Sequence, residues 1–248
     1  MRVADGVDAL ELTMHIMGNQ STIYPILIRD NDTGILVDTG IPGQLQQIRE
    51  AMERVGVPFA ALDKVILTHQ DIDHIGSLPA ILNASSHKIE VLAHEADKPY
   101  IEGDKPLLKM NRERMAKMFE ALPEAQRKQA EAMFSDPPKA HVDRTVSDGE
   151  TLPYCGGITV IHTPGHTPGH ISLYLNQSKT LITGDAMSIV DGQLSGPNPQ
   201  ATPDMDTALQ SLKKFPRYDI ETVICYHGGL FRDNANRRLE ELSIVSVR

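Results

Sequence analysis

The sequence predicts an α+β fold in which two β-sheets face each other and helices cover their outer faces. Three observations predict it. Short apolar runs of β character occur in both halves of the chain, segments with helical spacing fall between them, and no linker or internal repeat divides the 248 residues. A single domain over residues 1–248 is therefore expected, and that length allows a large core. Helices cannot separate sheets that face each other, so the helices belong outside.

The first expected element is a hairpin, with strand-like residues over 10–17 and a second strand over 22–28. Arg29-Asp30-Asn31-Asp32-Thr33-Gly34 is turn chemistry, and Ile35-Leu36-Val37 resumes a strand. Asp38-Thr39-Gly40 then opens a loop. Over residues 44–55, Leu45, Ile48, Met52 and Val55 recur on one helical stripe. Val65-Ile66-Leu67 reads as a short, continuously apolar strand. A helix is expected over 75–82, and a strand over 89–93.

Between residues 98 and 140 the strand pattern stops. Helices are predicted over 110–119 and 124–134, with Pro123 at a helix start and Pro137-Pro138 ending the run. Met110, Met115, Met118 and Met133 suit an adaptable apolar face. The segment reads as a helical insert, either a cap over a site or the surface of a homodimer, with a plain connecting pair of helices as the alternative. Strands are then predicted over 158–162, 170–175, 180–183 and 222–225. Helices are predicted over 205–215 and 234–241, the first entered at Pro203-Asp204.

Composition narrows the classes of partner. Hydrophobic residues make up 40% of the chain, which excludes a disordered or fibrous protein. The net charge is −9, from 33 acidic and 24 basic residues, and no basic stripe suits a phosphate backbone. Nucleic acid is not an expected partner, and no apolar run approaches the length of a membrane span. Met1-Arg2-Val3-Ala4-Asp5-Gly6 lacks the apolar core of a signal peptide, so a cytoplasmic location is expected. Cys155 and Cys225 lie in apolar, strand-like contexts and read as buried free thiols.

The chemistry concentrates at strand ends. Thr68-His69-Gln70-Asp71-Ile72-Asp73-His74 directly follows Val65-Ile66-Leu67 and carries four side chains able to bind a metal. Further ligand-type residues follow in His162-Thr163-Pro164-Gly165-His166, Gly184-Asp185 and Tyr226-His227-Gly228-Gly229. In an extended segment His69 and Asp71 point the same way, Asp73 keeps that parity, and His74 is reached as the chain turns into a helix. One loop can thus feed one metal through His69 and Asp71 and a second through Asp73 and His74. His166 and His227 complete two three-ligand sets, and the two oxygens of Asp185 can bridge them, as a two-metal hydrolase requires. Asp38, at a strand end, is placed to hold a ligating imidazole in its tautomer. His162 and His170 read as supporting or packed histidines. His15, His87, His94 and His141 read as structural or surface residues, and His94 ends a strand.

These motifs resemble those of the metallo-β-lactamase superfamily, from Val37-Asp38-Thr39-Gly40 through the 68–74 cluster, Thr163-Pro164-Gly165-His166-Thr167-Pro168-Gly169-His170 and Gly184-Asp185 to His227. The resemblance implies an αββα sandwich with metals at one edge of the two sheets. It assigns His69, Asp71 and His166 to one ion, Asp73, His74 and His227 to the other, and Asp185 to both, with His170 a non-ligand. One position departs from the usual pattern: the family carries a histidine where this chain has Asp71. The three carboxylates and a bridging hydroxide would cancel the charge of two divalent ions, whereas a histidine at 71 would leave one positive charge. Zinc is the expected ion, and the harder oxygen ligand brings manganese or iron within reach.

The resemblance implies hydrolysis of a small-molecule substrate by a metal-bridging hydroxide, with Asp185 keeping the ions close and Asp73 accepting a proton as the intermediate collapses. No serine or cysteine sits in a nucleophile setting, since Ser188 and Cys225 lack a free histidine partner. The Met-rich insert favours a substrate with an apolar arm, hence an ester or lactone, as in lactonase-like members. Lactonases, however, keep a histidine at the position of Asp71 and a tyrosine soon after the bridging aspartate, where this chain has Ala186-Met187-Ser188. A thioester hydrolase, a di-iron redox protein and a non-catalytic metal-binding module are the alternatives.

Overall fold

Successive side chains of a strand point to opposite faces, so each strand distributes its residues between two layers. The computed structural model describes residues 1–16, 19–30, 33–110, 123–124, 127–128 and 136–244. One sheet runs in the order β1 (Arg2–Ala4), β2 (Val7–Ala9), β5 (Ile26–Asp30), β6 (Thr33–Val37), β7 (Leu62–Ile66), β8 (Glu90–His94) and β9 (Arg144–Val146). From β6 onward its neighbours are parallel. The other sheet runs β10 (Thr151–Leu152), β11 (Ile158–His162), β12 (Ile171–Leu175), β13 (Thr180–Ile182), β16 (Thr222–Cys225) and β17 (Gly229–Phe231), antiparallel except where β13 meets β16. Two hairpins stand apart: β3 (Leu12–Ile16) with β4 (Asn19–Ile23), and β14 (Ser188–Val190) with β15 (Gln193–Ser195).

Parity sorts the core into layers. Ile35 and Val37 of β6, Ile66 of β7 and Leu92 of β8 meet Ile158 and Val160 of β11, Leu173 of β12 and Ile224 of β16 between the sheets. Their neighbours Leu36, Val65 and Val91 point outward onto α1 (Leu45–Arg54), α2 (Ile72–Ile75), α3 (Leu78–Ala84) and α4 (Lys98–Ile101). On the other side Ile161, Leu181 and Val223 point onto α5 (Met205–Leu212) and α6 (Ala235–Ile244). This is the αββα sandwich that the sequence predicts. Each side chain buried in these layers contributes about 1.5–3 kcal/mol relative to exposure.

Local signals place the helices. In α1 the expected stripe holds: Ile48 and Met52 are fully buried, with Leu45 and Val55 packed at its edge. The helix stops at Gly56, whose φ of 77° lets Val57 N–H bond the Met52 carbonyl at 3.0 Å. At α5, Asp204 caps the N-terminus by accepting from Thr207 N–H at 3.0 Å.

Several expectations need correction. The strand expected over 22–28 breaks at Tyr24-Pro25, because proline has no N–H to donate. Its first part pairs with β3, and its second part enters the main sheet as β5. The helix expected at 75–82 begins earlier, at Ile72, and is interrupted before Leu78. Cys155 is not in a strand. It sits half-buried in a turn at φ 51°, whereas Cys225 is fully buried in β16, and both are free thiols. The helices predicted over 110–119 and 124–134 lie almost wholly outside the described residues. The strands β1, β2, β9, β10, β14, β15 and β17 were not anticipated, since two or three residues are too few to show alternation. Among the described residues no helix is long and apolar enough to cross a membrane.

Ile66 tests the layered core, because it lies between the sheets at no solvent exposure. Ile66→Ala is expected to lower unfolding free energy by about 2–5 kcal/mol in equilibrium denaturation. A loss below about 1 kcal/mol would place Ile66 outside a packed inter-sheet layer.

Candidate metal centre

Parallel strands end on the same edge of a sheet, and this gathers the polar loops. The carboxyl ends of β6, β7 and β8 deliver Asp38, the 68–74 segment and Asp97 to one edge. In the second sheet β11, β13 and β16 run in the same sense and deliver His166, Asp185 and His227 to the facing edge. The early start of α2 places Asp73 and His74 in its first turn, so Asp73 is aimed by helical rather than extended geometry.

All seven candidate ligands converge. His69, Asp71, His166 and Asp185 form one group able to hold an ion, and Asp73, His74 and His227 form a second. In the first, Asp71 Oδ2 lies 3.2 Å from His69 Nε2 and 3.0 Å from His166 Nε2, while Asp185 Oδ2 lies 3.3 Å from His166 Nε2. In the second, His227 Nε2 lies 3.3 Å from Asp73 Oδ2 and 3.9 Å separates His74 Nε2 from that same oxygen. Asp185 touches both, with Oδ1 3.4 Å from His74 Nε2 and Oδ2 3.5 Å from His227 Nε2.

Two observations show that these residues fit divalent ions. Ligand bonds of about 2.1 Å at a tetrahedral angle separate donor atoms by roughly 3.4 Å, close to the spacings seen here. In addition His69 Nε2, His74 Nε2 and Asp185 Oδ1 are buried without a hydrogen-bond partner. Buried polar atoms without partners are costly, and an ion would satisfy all three.

The surroundings aim these atoms. Thr68 donates its backbone N–H (2.8 Å) and its hydroxyl (2.7 Å) to the two oxygens of Asp38. That hydroxyl oxygen then accepts from His69 Nδ1 at 3.0 Å, and Asp38 Oδ2 accepts from His74 Nδ1 at 2.8 Å. Both Nδ1 atoms are thus committed, and both Nε2 atoms face the cluster. Asp38 performs this from a left-handed backbone, φ 62°, unusual for a residue other than glycine. His170 does not join the ligands. Its Nε2 accepts from Asp185 N–H at 3.0 Å and its Nδ1 bonds Thr163 Oγ1 at 2.8 Å, so it fixes Asp185 from behind. Gly184 makes that approach possible, since at φ 53° a Cβ would lie 2.8 Å from His170 Nε2.

Burial and charge split the histidines. Burial, aided by the charge of His74, pushes His69 down, and burial with His69 and His166 pushes His170 well down. A neutral His170 is what its bond from Asp185 N–H requires. Burial also opposes charge on His74 and His227, but neighbouring carboxylates prevail. Asp38, Asp185 and Asp73 hold His74 well above its usual value, and Asp185 with Asp73 carries His227 up to about 10. Burial would raise the Asp71 carboxyl, but His69, His166 and the Lys109 ammonium hold it well below the usual range.

Three contributors had little or no sequence signal. Lys109, just before the undescribed residues 111–122, reaches Asp71 Oδ2 and His166 Nε2, each at 2.5 Å. Asp97, fully buried past the end of β8, binds Gln70 N–H and Nε2 on one side and Thr167 Oγ1 and Gly169 N–H on the other, tying two ligand loops together. Its place just beyond a strand end, like that of Asp38, was the available clue. Tyr226 stacks on His74 at 3.9 Å and donates its hydroxyl to the Asp73 carbonyl. Of the remaining histidines, His94 is buried and stacks on His162 at 4.0 Å, while His87 and His141 lie toward the surface. The side chain of His15 is outside the described set.

Two sheets between helices, with imidazoles and carboxylates converging on one edge, define an αββα protein of the metal-binding class. The chain belongs to the metallo-beta-lactamase superfamily, whose family model matches residues 19–227. It is 32% identical to the probable metallo-hydrolase YflN of Bacillus subtilis (strain 168), over 78% of this chain and 75% of that protein. It is 25% identical to the hydroxyacylglutathione hydrolase of Brucella anthropi, over 92% of this chain and 73% of that one. A metallo-beta-lactamase family protein from Thermus thermophilus has the same fold, with a TM-score of 0.71 at 22% identity, covering 97% of this chain and 79% of that chain.

Two outcomes test the centre. The carboxylates around His227 carry it up to about 10 and those around His74 raise it too, which favours their protonated forms in the metal-free protein. Metal uptake must then displace protons, so affinity should rise with pH and calorimetric enthalpies should vary with buffer ionisation heat. Buffer-independent enthalpies would contradict the protonated state. Asp185→Asn keeps shape but removes the charge shared by both groups, and bound metal by elemental analysis should fall with circular dichroism unchanged. Full occupancy in that variant would rule out the shared role.

Proposed function

We propose that this protein is a hydrolase using two divalent metal ions, acting on a small ester or lactone with an apolar arm, and that residues 1–248 work as one domain. The observation that carries this reading is the sharing of Asp185 between two ligand groups at an accessible sheet edge. When bound there, the ions would supply an activated water and polarise the carbonyl under attack. Zinc suits the imidazole-rich set, and the carboxylates extend the range to manganese or iron.

The chain's own residues have distinct parts in this proposal. Asp185, fixed by His170, holds the two groups in register. Asp73, at the rim beside the partly exposed His227, is placed to take a proton at Oδ2. Two exposed apolar residues adjoin segments that reach the site. Leu108, 43% exposed, adjoins Lys109, and Val190, 55% exposed, lies on the β14–β15 hairpin, whose Ile189 N–H bonds the His227 carbonyl at 3.0 Å. Exposed large apolar residues beside a polar centre suit a substrate with a hydrocarbon arm.

Thioester hydrolysis is the second reading, favoured by the similarity to a hydroxyacylglutathione hydrolase over most of the chain. Metal-loaded protein assayed on a panel of lactones, aryl esters and acyl thioesters separates the two. The expected result is a kcat/KM for esters or lactones at least about tenfold above thioesters, abolished by chelation. The reverse order would move the assignment to thioesters. Turnover no faster than metal-free protein on every class would sink the hydrolase reading.

A further inference from the structure

The ammonium of Lys109 lies where one of the two ions would bind. Its Nζ is 2.5 Å from Asp71 Oδ2 and 2.5 Å from His166 Nε2, two donors that are themselves 3.0 Å apart. An ion held by those atoms and the ammonium cannot share that space, because both are cations competing for the same lone pairs.

The placement of Lys109 is built into the fold. Leu107 is buried in the core beneath α4, and Met110 N–H closes a turn on the Leu107 carbonyl at 3.0 Å. Leu108 N–H donates to Gln70 Oε1 at 2.9 Å, and Gln70 is held at both its backbone and its side chain by Asp97. The segment that carries Lys109 is therefore pinned to the loop that carries Asp71. The side chain is 21% exposed, against 12% for Asp71, so the pair is well shielded from solvent. Among the described residues no comparable cation enters the other group, where the contacts of Asp73 and His227 are with each other and with His74 and Asp185.

Charge gives the pairing a reason. Asp71 puts a carboxylate among imidazoles, and Lys109 supplies the positive charge that balances it. The Asp71–Lys109 pair carries the net charge of a neutral histidine, but only while the ammonium stays in place.

We propose that Lys109 is a resident cation of the His69–Asp71–His166 group, so that the two groups fill in order. The Asp73–His74–His227 group takes its ion first. The other takes one only as Lys109 is displaced, which makes it the weaker and more readily emptied position. This inference rests on the two-metal reading given above, and the experiment separates the two.

Metal-free protein is titrated with zinc at fixed pH by calorimetry, with elemental analysis after equilibrium dialysis, for wild type and Lys109→Met. Methionine keeps an unbranched, flexible side chain, one heavy atom shorter, and removes the charge. Removing a cation adjacent to the incoming ion should tighten the weaker equivalent by at least about tenfold and leave the tighter one within about twofold. Two equivalents with affinities unchanged in Lys109→Met would overturn the role of Lys109 and leave the two-metal reading standing. A single equivalent at saturation in both proteins would overturn both. A second measurement needs no variant: reductive methylation of wild type, read by peptide mass spectrometry. Lys109 should be modified several-fold faster in zinc-saturated than in metal-free protein, because the ion expels its ammonium toward solvent, and equal rates would overturn the proposal.

Discussion

Everything at this sheet edge answers to one constraint: carboxylates and imidazoles are withdrawn from water and crowded around Asp185. A buried carboxylate is costly unless it is paired and hydrogen-bonded. Here the compensation comes in layers. Burial holds His170 well down and it receives the Asp185 N–H, while the carboxylates around His74 and His227 raise both. Among the described residues of this edge, the buried atoms that still lack partners are His69 Nε2, His74 Nε2 and Asp185 Oδ1, all in the ligand groups. An ion held between the ligand groups would remove the deficit at that edge.

The fold makes that concentration affordable in structural terms. Parallel neighbours in each sheet deliver their loops to a common edge, and apolar layers on both sides of each sheet keep those edges rigid. Two buried aspartates then lock the loops to one another. Asp38 ties the end of β6 to Thr68 and His74, and Asp97 ties Gln70 to Thr167 and Gly169 across the two sheets. Neither faces the centre. Each fixes the orientation of groups that do, which is why a strained backbone at Asp38 is tolerated.

Asp71 and Lys109 make the two halves of the centre unlike. The Asp73–His74–His227 half is assembled from one helix turn and one strand end, with Tyr226 packed against it. The other half draws on two loops and on a lysine from a segment outside the sandwich strands. The charge of this edge therefore depends on where one ammonium lies.

The sequence by itself determined the layer architecture and the seven candidate ligands. The continuously apolar runs Ile35-Leu36-Val37 and Val65-Ile66-Leu67 are a local consequence of burial on two faces, and histidines and aspartates clustered past strand ends are rare unless chemistry needs them. The stripe of α1 and the cap at Asp204 were readable for the same reason, because the physics acts within a few residues. What lay beyond reach was set by contacts distant in sequence. Tyr24-Pro25 splits an apparent strand because its two parts pair with different partners. Asp97 and Lys109 look like ordinary surface charges until β8 and the Leu107 anchor bring them to residues 27 and 38 positions away. Only the tertiary structure decided which lysine meets which aspartate, because their encounter depends on how the chain returns to the sheet edge and not on the residues around either one.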